Sequence, residues 1–346
     1  MNKKKIITGV FLILLIVAAF IGYKIAGPAV SAKKETYFYI KTGETLETVK
    51  KNLVSQKIIT GKAWFNRVAG WLKYTVVKPG RYEIKDGMSL LALAKMLRNG
   101  KQAPVKLVLV KERTKELFAG KMGKKFDTEC DSLQMINFLN SNDSLKRFGV
   151  DTTTVMAIVM PYTYEITWNS SPGKIVQQFY TAYKKFWTEE RKVKADSLRL
   201  TPLQVSVLAS IVEEETNKKA DKYNIASTYL NRLTIGMKLQ ADPTVKFVTR
   251  NFQLGRITGV HLKLESPYNT YLNTGLPPGP ICTPSVESIE SVLNAPKTDY
   301  LFFVASYKFD GSTIFTSNYT DHTKYVKLFH AEQNRRSDSL KKLKAK

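Results

Sequence analysis

The sequence predicts an α+β protein with an N-terminal transmembrane helix, a small βα module and a larger mixed α/β domain. Three observations carry that prediction. An uncharged apolar run fills Ile6–Tyr23, and a strand–turn–helix pattern occurs twice between residues 37 and 101. From Val105 onward, amphipathic helical stretches alternate with short strands and polar loops rich in Asn, Gly and Pro. A length of 346 residues allows two soluble modules with a substantial core, and 43% hydrophobic against 24% charged content argues against wholesale disorder. The expected division is 1–36 for the N-terminal tip, span and linker, 37–104 for the small module, and 105–346 for the larger domain with a basic tail.

Taken in order, Lys3, Lys4 and Lys5 precede an apolar run of 18 residues that ends before Lys24. That length suits a membrane-spanning helix, and the three lysines favour keeping the N-terminus in the cytoplasm, with everything after about residue 25 outside. The competing reading is a cleaved signal peptide, for which Ala29-Val30-Ser31 offers small residues. The run is longer than most signal cores, which favours a retained single-pass anchor in the cell (inner) membrane. No cysteine adjoins its C-terminal end, so a lipid-modified N-terminus is not expected.

The next segment holds an internal echo. Ile40-Lys41-Thr42-Gly43-Glu44-Thr45-Leu46 and Ile84-Lys85-Asp86-Gly87-Met88-Ser89-Leu90 each read as a strand, a glycine turn, a Thr or Ser N-cap and an amphipathic helix. The turn into the helix resembles the LysM module, a small peptidoglycan-binding fold. Phe65, Trp71, Tyr74 and Tyr82 are candidates for a sugar groove, with core packing as the plainer alternative. Val105–Val110 reads as a strand and Thr114 as a helix cap. Met160–Trp168 is aromatic-rich and ends in an Asn-Ser-Ser-Pro-Gly loop, either a packed lid or a sugar-facing wall, and Ile175–Trp187 reads as an amphipathic helix.

The richest stretch is Thr201–Val245. Thr201, Pro202 and Gln204 make a helix start with a capping box. At about 100° per residue, Val205, Leu208, Ile211 and Val212 form one apolar stripe, and Glu215 falls in its middle. Glu213 points away from the stripe and Glu214 lies on its flank. A carboxyl group held against apolar side chains resists ionisation and can donate a proton near neutral pH. The plainer reading makes Glu213–Glu215 a solvated helix end, with Glu215 paired to Lys218 or Lys219. A second helix is expected from Asp221 to Leu233, stopped at Gly236, followed by polar loops of the kind that build carbohydrate sites. Asp310-Gly311 reads as the turn of a hairpin.

A net charge of +25 calls for an anionic partner, which could be a membrane surface or a polyanionic wall. No zinc-finger spacing, P-loop or recognition helix supports nucleic acid. His261, His322 and His330 match no metal-ligand spacing, and no G-x-S-x-G elbow occurs, so neither a metal, a serine nucleophile nor a cofactor is expected. Cys130 and Cys282 do not make a disulfide framework.

Ala209–Thr216, Asn231-Arg232-Leu233, Leu239-Gln240-Ala241-Asp242-Pro243-Thr244-Val245, Tyr268-Asn269-Thr270-Tyr271 and Gly275-Leu276-Pro277-Pro278-Gly279-Pro280-Ile281 together resemble the YceG-like family of endolytic murein transglycosylases. The resemblance places the family's catalytic residue, the second glutamate of Glu-x-Glu-Thr, on Glu215. It implies scission of the β-1,4 bond between N-acetylmuramic acid and N-acetylglucosamine with 1,6-anhydro ends. It further implies penicillin-binding synthases as partners, with the enzyme limiting the length of new glycan strands. Asn231, Gln240, Asp242 and Asn269 are the residues expected to position the sugars or orient Glu215, with a loop or cap hydrogen bond as the plainer alternative for each, and Arg232 a structural partner for a carboxylate. Two departures stand out. Tyr162 occupies the place of the family's Asp in Pro-Asp-Thr, which shifts attention to Glu165, and Glu214 replaces a more usual Lys and adds negative charge beside Glu215. The alternatives are a hydrolytic muramidase using Glu215 and Asp242, and a non-catalytic peptidoglycan-binding protein.

Overall fold

The computed structural model describes residues 3–344, with helices and short two-stranded sheets throughout. The chain forms two compact units. One takes the chain up to Leu107 together with Lys121–Ser132 and Tyr164–Pro172; the other takes Val108–Gly120, Leu133–Thr163 and the chain from Gly173 on.

The first unit begins with the 24-residue helix Lys3–Ala26, none of whose residues is buried. Strands Thr36–Ile40 and Gly80–Ile84 then pair antiparallel, with Phe38 opposite Tyr82. Each strand runs through a left-handed glycine, Gly43 or Gly87, into a capped helix. Thr45 caps Leu46–Ser55 by accepting from the Thr48 amide, and Ser89 caps Leu90–Asn99 by accepting from Ala92. The repeated sequence pattern is thus a repeated structure. Between the copies lies a further helix, Lys62–Trp71, which the echo does not contain. Phe65, Tyr74 and Tyr82 are packed into the core with Phe38, Leu53 and Leu93, so they are not available to a sugar groove. Trp71 alone of the four aromatic candidates is exposed. Downstream of the first helix, Val30 is buried and bridged to Ile59, its amide donating to the Met88 carbonyl.

The second unit is assembled around helix Pro202–Glu215. Its N-terminus carries the expected capping box: Thr201 accepts from the Gln204 amide, and the Gln204 side chain accepts from the Thr201 amide. Every residue from Val205 to Val212 is buried, so the helix is enclosed on all sides rather than along one stripe. Helices Lys219–Thr234, Asp242–Thr249 and Val286–Leu293 supply the enclosure. Polar residues survive in it because their hydroxyls have partners: Ser206 donates to the Pro202 carbonyl and Ser210 to that of Val207. Thr201→Ala is expected to cost about 1 kcal/mol of stability, read from urea unfolding, because it removes the cap of this central helix.

Asp221 sits inside the first turn of Lys219–Thr234 rather than capping it, and its carboxylate accepts from Thr313. Strands Phe302–Ala305 and Thr313–Thr316 form the expected hairpin, and helix Tyr319–Lys344 follows it. Gly279 is fixed by crowding: a Cβ there would meet the Thr153 carbonyl oxygen at 2.0 Å. The loop it belongs to is tied to the central helix by the Ile281 amide, which donates to Ser210 Oγ. Cys130 and Cys282 are both free and buried.

Candidate active site

The central helix ends in three glutamates, and each meets a different environment. Glu213 Oε2 accepts from Ser285 at 2.5 Å, from Ser288, and from the buried Lys222 at 3.1 Å. Burial opposes its charge, yet these donors outweigh burial and hold the carboxyl below its usual range. Glu214 is clasped by Lys111 at 2.8 Å and Arg113 at 2.9 Å. The solvated helix end is therefore not what forms.

Glu215, the last residue of the helix, has no cation in contact among the described residues. Tyr229, buried on the neighbouring helix, donates its hydroxyl to Glu215 Oε1 at 2.5 Å. Burial pushes the Glu215 carboxyl up to about 7. The Tyr229 hydrogen bond and the positive charges of Arg232 and Lys246 pull the other way, while the negative charge of Asp242 adds to the rise. A carboxylate at a helix C-terminus also faces the negative end of the helix dipole. The added charge beside Glu215 thus comes from Asp242, and Glu214, expected in that role, is neutralised by its two cations. Lys218, the expected partner of Glu215, donates instead to the Gly311 carbonyl.

Glu215 and Asp242 together line two clefts. One, of about 380 Å³, is bounded by Arg113, Lys246, Phe247, Phe252 and Arg256. The other, of about 310 Å³, is bounded by Gln240, Tyr271, Phe302, Phe303, Tyr319 and His322. The first is rich in cations and the second in aromatic faces, so the carboxyl sits where a chain molecule could be gripped on both sides.

The other expected site residues fall into two groups. Asp242 opens helix Asp242–Thr249, is exposed, and accepts from the Tyr271 hydroxyl at 2.6 Å. Gln240 is exposed and held at φ +51°, with its amide donating to the Thr270 carbonyl. Asn231 spends its amide on the carbonyls of Thr298 and Tyr300, both at 3.0 Å. Asn269 is fully buried; it donates to the carbonyls of Leu262 and Leu264 and accepts from the Tyr271 amide. Asn231 and Asn269 therefore fix the backbone that carries the clefts. Arg232 donates to the carbonyls of Leu301 and Leu239, not to a carboxylate. Glu165 is exposed on strand Thr163–Ile166 of the sequence.

Sequence reasoning did not single out Tyr229, Tyr271 or Lys246. Tyr271 stood inside a recognised motif and could have been named from it. Tyr229 gave no such signal, since its role depends on how two helices meet.

Residues 38–328 match the YceG-like family. The chain is 29% identical over 340 residues to a Bacillus subtilis (strain 168) protein named endolytic murein transglycosylase, covering 93% of this chain and 92% of that one. It is 26% identical over 361 residues to a Streptococcus pneumoniae (serotype 2) protein of the same name, covering 92% of this chain and 63% of that one. Among solved structures, a YceG-like protein from Listeria monocytogenes superposes with a TM-score of 0.55 at 25% identity, covering 85% of this chain and 99% of that one.

Proposed function

The chain belongs to the YceG-like family, and from that premise we propose that it is an endolytic murein transglycosylase. It cleaves the β-1,4 bond between N-acetylmuramic acid and N-acetylglucosamine within glycan strands, leaves 1,6-anhydro ends, and so limits strand length. The observation that carries this reading is Glu215, a carboxyl raised to about 7 and opening on two clefts.

With Oε1 accepting from Tyr229, Oε2 is the oxygen that carries the proton. Glu215 gives it to the glycosidic oxygen as the bond from the muramyl C1 breaks and an oxocarbenium-like centre develops. The leaving N-acetylglucosamine departs with a free 4-hydroxyl. The ionised Glu215 then takes the proton of the muramyl C6 hydroxyl while that oxygen closes on C1. The enzyme ends protonated, as it began, and neither water nor a second carboxylate is consumed. Near neutral pH both forms of a group with a pKa of about 7 are accessible, which suits one residue to both steps.

Asp242 and Gln240 reach the substrate, and Asn231 and Asn269 position the loops around it. Phe302, Phe303 and Tyr271 supply faces for sugar rings. The small unit, with two strands each leading into a capped helix, acts as a LysM-like glycan-binding module ahead of a catalytic region from residue 105. The Lys3–Ala26 helix anchors the protein in a single pass, with the catalytic region extracytoplasmic. Support for an anchor comes from the length of that helix, 24 residues with a strongly apolar stretch and no buried residue. Penicillin-binding synthases that make the nascent strands are the expected protein partners.

Digestion of purified sacculi, followed by mass analysis of the released ends, tests the reaction. Anhydro-muramyl ends are the expected product. Reducing muramyl ends would instead establish hydrolysis by Glu215 and Asp242, and binding without new ends would leave a scaffold.

A further inference from the structure

Helix Lys62–Trp71 presents two different faces. Phe65, Val68 and Ala69 point into the core of the first unit. Trp64, Arg67 and Trp71 recur at spacings of three and four residues and so share a second face. That face meets the N-terminal helix: Trp64 lies edge-on to Phe20 with ring centroids 6.1 Å apart. An open hollow of about 500 Å³ between the two helices is lined by Phe20, Ile21, Ile25, Trp64, Arg67 and Trp71. Trp71 is 69% exposed at its rim, a large apolar ring that nothing among the described residues covers.

The depth of Phe20 decides what covers it. The apolar run ends at Tyr23, and at 1.5 Å per residue Phe20 lies about 4.5 Å inside that end. The 18-residue run is about 27 Å long, close to the ~30 Å of a bilayer's hydrocarbon, so it has no slack to lift Phe20 clear of the lipid. A side chain packed on Phe20 is therefore at the boundary between headgroups and acyl chains. We infer that the Trp64–Arg67–Trp71 face of helix Lys62–Trp71 is seated in that boundary on the lipid, and holds the small unit against the membrane surface.

The chemistry of the face matches the place. Tryptophan rings prefer the interface because one edge is apolar and the other carries an N–H. Arg67 lies over the Trp64 ring, 4.7 Å from its centroid, an arrangement that leaves the guanidinium free to reach lipid phosphates. Lys24 lies over Phe20 in the same manner on the spanning helix. The glycan-binding module would then be held at a fixed height, close to where membrane-bound synthases release new strands.

This inference rests on Lys3–Ala26 spanning the bilayer, and the test separates the two. The full chain is reconstituted into vesicles of phosphatidylglycerol and phosphatidylcholine whose acyl chains are brominated either near the glycerol or near the methyl end. Trp168 and Trp187 are buried in protein, so the lipid-quenched emission should come from Trp64 and Trp71. Stronger quenching by the shallow bromines is expected, with most of Trp71's share lost in Trp71→Phe. A nitroxide on Trp71→Cys, made practicable by the burial of Cys130 and Cys282, should be more accessible to oxygen than to a water-soluble nickel chelate. Quenching unchanged by Trp71→Phe, or a label freely accessible to the chelate, overturns the inference, and would leave the face to a protein partner. A chain that alkaline carbonate washes off the vesicles defeats the spanning reading itself.

Discussion

Glu215→Gln is expected to reduce the rate of anhydro-end formation by a factor on the order of 10³ or more, since general acid–base catalysis commonly contributes 10²–10⁴ and here one group serves both steps. Glutamine keeps the carbonyl oxygen that accepts from Tyr229, so binding to sacculi should persist while turnover stops. The same substitution should stabilise the fold at alkaline pH. The folded Glu215 titrates at about 7, above the ordinary 4.5. Between those values the folded protein holds a proton that the unfolded chain has released, so stability declines as pH rises through the window and levels off above it. At about 1.36 kcal/mol per pH unit, the decline attributable to this carboxyl approaches roughly 3 kcal/mol. The variant should lack it, which urea titrations at pH 4.5 and pH 8.5 would show. An inactive variant with the wild type's pH-dependent loss would mean that Glu215 is ionised throughout and is not the acid.

How much of this was legible in the sequence depends on the range of the interactions involved. Thr201, Pro202 and Gln204 act within one helical turn, and their capping box was readable before any coordinates. Gly43 and Gly87 likewise announce turns that a left-handed backbone requires. The Asp310-Gly311 turn did the same for the hairpin. The apolar setting of Glu215 was inferred from a stripe, yet the helix proves to be enclosed all round from Val205 to Val212, with Glu215 half-buried at its end. The full enclosure stops short of the glutamates, so the stripe alone does not account for the setting of Glu215, which Tyr229 and Asp242 complete from other helices. Charge was harder to read. Glu214 adjoins Glu215 in sequence, and its charge is cancelled by Lys111 and Arg113, about a hundred residues away. Asp242, whose charge does act on Glu215, arrives from a helix that begins 27 residues later. Such pairings are fixed by packing, and no local pattern encodes them. Asn231 and Asn269 show a related limit: sequence left a sugar contact and a loop hydrogen bond equally open, and the structure shows their amides serving backbone carbonyls.

Tyr229→Phe and Asp242→Asn should move the pH dependence of catalysis in opposite directions. The first step needs protonated Glu215, so the rate falls as pH rises through its pKa of about 7. The Tyr229 hydroxyl stabilises the ionised carboxylate by donating to it. Without that donor the proton is held more tightly, and the alkaline limb should shift upward. A hydrogen bond to a charged group is worth about 1.5–3 kcal/mol, equivalent to roughly one to two pH units. Asp242 disfavours a second negative charge nearby, so neutralising it should release the Glu215 proton at lower pH and draw the limb downward. Because Asp242 is exposed, that shift should be the smaller one and should shrink as salt is added, whereas the Tyr229 effect should persist. Damage to the fold alone would depress the rate at every pH and leave the limb in place. Limbs that move together, or not at all, would place the titrating acid somewhere other than Glu215.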